Sequence, residues 1–136
     1  MLQDAVRFLR TYDDILLIAH VSPDGDTLGS SFALYGALLE LGKHAQVVCE
    51  DPVPAIYRFL PFAEQLIPPE QARPAEAVVC VDCADLGRTG RCEPLFQAAK
   101  ATLNIDHHGT NDRYAESNYV QKAGATGELI FNVIAC

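Results

Sequence analysis

Ile15-Leu16-Leu17-Ile18-Ala19-His20-Val21-Ser22-Pro23-Asp24-Gly25-Asp26 decides the fold. Ile15 to Ala19 is an unbroken apolar run. A strand reads this way when both of its faces are covered, as in a parallel sheet. The turn chemistry of Pro23-Asp24-Gly25 closes that strand at once. From about Thr27 to Leu41 the chain is apolar nearly all round, which predicts a buried helix stopped by Gly42. Strand, polar turn and helix together open a strand–helix–strand unit.

The same grammar extends in both directions. Toward the N-terminus, Leu2, Ala5, Val6 and Leu9 recur at helical spacing and predict a short amphipathic helix. Toward the C-terminus, Ala45 to Cys49 reads as a second strand, Ala77 to Val81 as a third and Ala101 to Ile105 as a fourth. The proline-containing stretch 51–74 holds a short helix at most. Pro94 to Lys100 predicts a helix, and so does the segment from Thr126 to Ile134, with Leu129, Ile130, Val133 and Ile134 on one face. Strands alternating with helices define an α/β fold with a mostly parallel sheet. There is no internal repeat. Residues 1–136 are expected to form one domain, incomplete at its C-terminus, because the chain ends at Cys136 inside an apolar helical pattern without a Gly, Pro or polar stop.

Composition narrows the function. No apolar run approaches the roughly 20 residues of a membrane span. The first segment mixes Asp4, Arg7, Arg10, Asp13 and Asp14 among its apolar residues, unlike a secretory signal. A cytoplasmic protein with no membrane partner is expected. The formal charge of −8 makes a poor nucleic-acid binder by electrostatics alone. Carboxylates neutralised by divalent cations, however, become an anion-binding surface. Five cysteines form no framework spacing. Cys80 and Cys83 make a C-x-x-C, which could signal zinc or redox chemistry or simply two buried thiols. Residues three apart on a strand face opposite sides, which favours the buried thiols.

Three polar clusters follow three of the strands. His20 to Asp26 follows the first, Asp82-Cys83-Ala84-Asp85 the third, and Asp106-His107-His108 the fourth. Ligands of open parallel sheets bind beyond the carboxyl ends of the strands, so these groups should converge on one edge. Asp and His together suit Mn²⁺, Fe²⁺, Zn²⁺ or Mg²⁺. There are enough of them for two ions, the usual device of phosphoryl hydrolysis, in which a shared water becomes a hydroxide nucleophile. Taken singly, Asp24 reads equally well as a turn residue and Asp26 as a helix N-terminal charge. Three of the four histidines fall in the clusters, which favours a joint site. His44 reads as a solvated loop residue, and Asp85 as a turn residue or a support for the site.

His20-x-x-x-Asp24-Gly25-Asp26-x-x-Gly29-Ser30, then Asp82, then Asp106-His107-His108 resembles the DHH phosphoesterase superfamily over essentially the whole chain. Asp106-His107-His108-Gly109-Thr110-Asn111 and Ala125-Thr126-Gly127-Glu128-Leu129 look most like its nanoRNase type. Those enzymes hydrolyse short oligoribonucleotides and remove the 3′-phosphate of 3′-phosphoadenosine 5′-phosphate. The resemblance implies a three-layer parallel-sheet domain and a site for two divalent metal ions, Mn²⁺ above all, with Mg²⁺ or another divalent ion as alternatives. His20 and Asp24 would hold one ion, Asp26 and His107 the other, and Asp82 would bridge them. His108 would face the scissile phosphate, and Asp106 would orient a neighbouring histidine. Arg88 and Asn111 are candidate substrate contacts, and Asn111 could equally fix the loop after the histidines. A homodimer is compatible with the resemblance. RecJ-type exonucleases, cyclic-di-AMP phosphodiesterases and family II pyrophosphatases share the early motifs, and a non-catalytic nucleotide-binding module is a further alternative. In the family a further Asp completes the metal set, and a separate C-terminal domain with a glycine-rich basic motif grips substrate. Neither has a counterpart in these 136 residues.

Overall fold

The computed structural model describes residues 1–136. The chain runs α1 (Leu2–Thr11), β1 (Asp14–Ala19), α2 (Gly25–Glu40), β2 (His44–Val48), β3 (Leu66–Ile67), β4 (Ala77–Val81), α3 (Glu93–Gln97), β5 (Ala101–Asp106), β6 (Ser117–Val120) and α4 (Thr126–Ala135). The strands form one parallel sheet in the order β3-β2-β1-β4-β5-β6. This is the expected α/β architecture, with two further strands. β3 has only two residues and β6 carries Ser117 and Asn118 on the sheet edge, so neither makes the apolar run that marks a covered strand. Stretch 51–74 contains three single 3₁₀ turns around β3 and no α-helix. His44 opens β2, paired with Asp14, rather than lying in a loop, although it is exposed as expected.

Side chains alternate across the covered strands. Ile15, Leu17, Ala19, Val79, Val81, Leu103 and Ile105 face the larger core under α1, α2 and α4. Leu16, Ile18, Val78 and Cys80 face a smaller one under α3 and the segment before it. The result is three layers of unequal thickness. α2 starts where the turn chemistry requires: Asp24 accepts a hydrogen bond from Thr27 N at 3.0 Å as its N-cap. It stops at Gly42, whose φ of +76° suits glycine.

Both cysteines of the C-x-x-C lie in the smaller core, which corrects the expectation that they face opposite sides. Asp82 between them adopts a φ of +63°. The chain turns there, and strand alternation ends at Val81.

The topology fixes the site. From the β1–β4 seam, successive strands run outward in opposite directions, so the crevice beyond this seam is the switch point of the sheet. Ala19 pairs with Val81, and Val81 pairs with Ile105. The next residue on each strand, His20, Asp82 and Asp106, therefore stands at the same height on the carboxyl edge. Thr27 closes the seam, donating to the Val81 carbonyl at 2.8 Å and accepting from His20 N at 3.4 Å.

Candidate metal centre

Asp82 is the centre of the constellation. Its side chain is 2% exposed, with Oδ2 3.5 Å from His20 Nε2 and Oδ1 3.4 Å from His107 Nε2. The left-handed backbone at Asp82 swings the carboxylate into the crevice. Such a conformation costs roughly 1–2 kcal/mol for a residue with a Cβ, and Asp is among the residues that tolerate it best.

Two donor groups flank this carboxylate. On one side, Asp24 Oδ1 lies 3.7 Å from His20 Nε2. On the other, Asp26 Oδ2 lies 3.5 Å from His107 Nε2. These gaps exceed the roughly 2.7–3.2 Å of an N–H···O bond. They approach the separation of two ligands on a shared ion, about 2.8–3.6 Å for bonds of roughly 2.0–2.2 Å. Asp24 also caps α2 through the same Oδ1, so its ordinary structural role and its place in the cluster coexist. The oxygen and imidazole donor set fits a divalent ion of intermediate hardness. His20, Asp24 and Asp82 form one group whose ligand atoms lie within 4.8 Å of one another, and Asp82, Asp106, His107 and His108 form another.

The histidines are oriented from behind. His20 Nδ1 lies 2.7 Å from the Val21 carbonyl and His107 Nδ1 3.2 Å from the Ala123 carbonyl. A carbonyl only accepts, so the proton of each neutral ring sits on Nδ1 and its lone pair on Nε2, facing the crevice. Burial works against a charged His20 ring. The Asp82 carboxylate, the Val21 carbonyl and the charge of Asp24 outweigh it and leave the imidazole above its ordinary value of 6.5.

Asp106 is wholly buried and points inward. One oxygen accepts from His108 Nδ1 at 2.6 Å and the other from Asn111 Nδ2 at 2.8 Å. That leaves His108 Nε2 free on a side chain that is 43% exposed. Asn111 also points inward. Its two amide hydrogens are shared among Asp106 Oδ2, Asn104 Oδ1 at 2.6 Å and the Cys83 carbonyl at 3.3 Å, and its oxygen accepts from Arg113 N at 2.7 Å. With its polar atoms engaged this way, Asn111 pins the loop and does not reach toward the open crevice. Arg88 is exposed, with Nη2 3.3 Å from His20 Nδ1. Because that nitrogen already carries a proton, this is a close approach and not a hydrogen bond. The guanidinium sits beside the His20 group with donors to spare. Asp85 caps the turn that carries Arg88, accepting from Arg88 N at 3.2 Å.

Three residues quoted above only as parts of motifs, Ser30, Thr126 and Gly127, turn out to hold the carboxylates of the site. Thr126 Oγ1 donates to Asp82 Oδ1 at 2.8 Å. The backbone N–H groups of Thr126 and Gly127 donate to the two oxygens of Asp26 at 3.0 and 3.1 Å, and Ser30 Oγ donates to the second of those oxygens at 3.3 Å. Ala125 offers α4 no side-chain cap, so the carboxylate of Asp26 caps that helix from across the crevice. In the sequence Thr126 appears as a helix start and within the Ala125–Leu129 motif, but neither gives its side chain a partner.

The family model of the DHH family N-terminal domain matches residues 14–135. This chain belongs to the DHH family. Among curated relatives, the bifunctional oligoribonuclease and PAP phosphatase NrnA of Thermus thermophilus is 38% identical over 122 residues, covering 88% of this chain and 36% of the relative. Proteins of the same name from Mycoplasma pneumoniae and Bacillus subtilis are 29% and 26% identical, over 93% and 98% of this chain and 42% of each relative. The chain thus spans about two fifths of the length of these relatives. A crystal structure of an exopolyphosphatase-related protein from Bacteroides fragilis superposes with a TM-score of 0.90 at 23% identity, over 98% of this chain and 42% of that one. It shares the fold.

Proposed function

We propose that this DHH domain is the catalytic part of a metal-dependent phosphoesterase. Its substrates would be short oligoribonucleotides, the 3′-phosphate of 3′-phosphoadenosine 5′-phosphate, or both. The observation that carries the reading is the carboxylate of Asp82, which offers one oxygen to each of two histidine–aspartate pairs. In this reading His20, Asp24 and Asp82 hold one divalent cation, and Asp26, His107 and Asp82 hold a second. Mn²⁺ is preferred and Mg²⁺ is the alternative. The cations would supply positive charge for the phosphoryl oxygens and lower the pKa of a nucleophilic water.

The chain's own residues would do the remaining work. Val21 and Ala123 carbonyls hold the imidazoles with Nε2 inward. Asp106 holds His108 by Nδ1 and steadies the imidazolium form of the ring, whose second N–H, on Nε2, would then face the phosphoryl oxygens as charge builds on them. Arg88 sits where its free guanidinium donors would meet a phosphate on the His20 side. The names of the relatives support the choice of substrates. Five unpaired cysteines, four of them buried, suit a reducing, cytoplasmic setting.

The test is hydrolysis by the whole gene product of two- to five-residue oligoribonucleotides and 3′-phosphoadenosine 5′-phosphate. Pyrophosphate and cyclic dinucleotides serve as competing substrates, with and without Mn²⁺. Preferred turnover of the first two classes, lost on chelation and in Asp82→Ala, is expected. Undiminished turnover in Asp82→Ala would remove the assignment, and preference for pyrophosphate or cyclic dinucleotide would replace the substrate class.

A further inference from the structure

We propose that Thr126 is a positioning residue of the metal centre, fixing Asp82 through its hydroxyl and Asp26 through its backbone. The inference rests on the two-cation reading above and adds to it a residue that no ligand role includes.

Lone-pair counting carries the argument. An ionised carboxylate has about four acceptor positions. On Asp26, three donors already occupy three of them: Thr126 N on Oδ2, and Gly127 N and Ser30 Oγ on Oδ1. The position left lies on Oδ2, the oxygen that faces His107 Nε2. On Asp82, the Thr126 hydroxyl takes one position of Oδ1, leaving Oδ2 toward His20 and the rest of Oδ1 toward His107. A carboxylate's terminal torsion is otherwise broad. Thr126 is wholly buried, and its single proton has Asp82 as its acceptor. The bond therefore sets the plane in which Asp82 faces both groups. One residue at the start of α4 thus holds both carboxylates of the His107 side.

A purely structural role predicts something different. Valine has the shape of threonine and keeps the backbone N–H that caps onto Asp26, so the fold and α4 survive Thr126→Val if packing is what matters. Losing the bond that orients a ligand typically weakens metal affinity about 10- to 100-fold.

The experiment is Mn²⁺ titration of the whole gene product by calorimetry, with electron paramagnetic resonance at two equivalents of Mn²⁺. Wild type, Thr126→Val and Thr126→Ser are compared, each checked by circular dichroism. In wild type we expect two bound ions and a spin-coupled pair signal. In Thr126→Val the weaker ion should lose about 10- to 100-fold in affinity, with the pair signal giving way to that of isolated Mn²⁺. Thr126→Ser should restore both. Two ions of unchanged affinity with an unchanged pair signal in folded Thr126→Val overturn the proposal. If Thr126→Val does not fold, Thr126→Ser decides. Wild-type binding and pair signal in Thr126→Ser support the hydroxyl, and loss of the second ion there refutes it. Failure of wild type to bind any Mn²⁺ would instead remove the two-cation reading on which the inference rests.

Discussion

Asp106→Asn separates an orienting carboxylate from a ligating one. Asp106 belongs to a cluster with Asp82, His107 and His108 whose ligand-type atoms lie within 4.8 Å of one another, so proximity alone would make it a ligand. Its hydrogen bonds argue otherwise, since both oxygens accept from donors within the fold, His108 Nδ1 at 2.6 Å and Asn111 Nδ2 at 2.8 Å. Asparagine keeps the shape but offers one acceptor and one donor where there were two acceptors. With the amide oxygen turned to Asn111, its NH₂ faces His108 Nδ1, which can meet it only as an acceptor, so the ring is held neutral and the charged two-donor form loses its partner. With the amide reversed, two NH₂ groups oppose one another. Either way one charge-assisted bond is lost, worth about 1.5–3 kcal/mol. If all of it is expressed where His108 meets the developing charge, kcat falls about 10- to 150-fold. Mn²⁺ affinity, measured by calorimetry, should stay within about threefold because no metal-facing atom changes. Loss of one Mn²⁺ equivalent in the variant would make Asp106 a ligand and refute the hydrogen-bond argument. Unchanged kcat would show that the orientation of His108 does not matter to turnover.

Other consequences follow from burial and backbone geometry. Gly90 has a φ of +57°, and an added Cβ would stand 2.5 Å from Glu50 Oε1 and 2.6 Å from Val21 Cγ1. Gly90→Ala should therefore cost about 2–6 kcal/mol from strain and overpacking. At about 3–4 °C per kcal/mol for this chain length, a thermal melt should fall by about 7–20 °C, and a shift under 2 °C would contradict the packing. Of the five cysteines only Cys136 is exposed, so a thiol reagent at pH 8 should label one group rapidly in the native protein and five after denaturation. Burial pushes Cys49 up to about 11, and Cys83 and Cys92 to about 12, from 9.0. The unfolded chain gives up these protons first, so stability is intact below about pH 9 and falls as pH rises toward 11. Burial raises the fourth buried thiol, Cys80, further still, and the slope reaches at most about 5.5 kcal/mol per pH unit for the four. Equal stability by urea unfolding at pH 8 and 10.5 would refute this.

The parts of the fold legible in the sequence share one physical cause. β1, β4 and β5 are covered on both faces, so they appear as apolar runs, and Asp24 and Gly42 mark the ends of α2 by local chemistry. β6 is an edge strand with polar residues, and β3 is too short to show a pattern. The convergence of His20, Asp82 and Asp106 was readable because strand ends align by topology. The sharing of one core by Cys80 and Cys83 was not, because it depends on a left-handed Asp82 that no periodicity records. The role of Thr126 was equally hidden. The motif around it was visible, but its partner Asp82 lies 44 residues away, and no local pattern says which distant group a helix-start hydroxyl will meet.

The bonds from α4 to Asp26 join residues 100 positions apart. A ribosome adding about 5–20 residues per second therefore exposes Asp26 for roughly 5–20 s before the amides that hold it are made. His20, Asp24 and Asp26 emerge early and wait. The pocket they belong to closes only when α4 docks, so the carboxylate of Asp26 takes its final setting about 100 residues after Asp26 itself has been made.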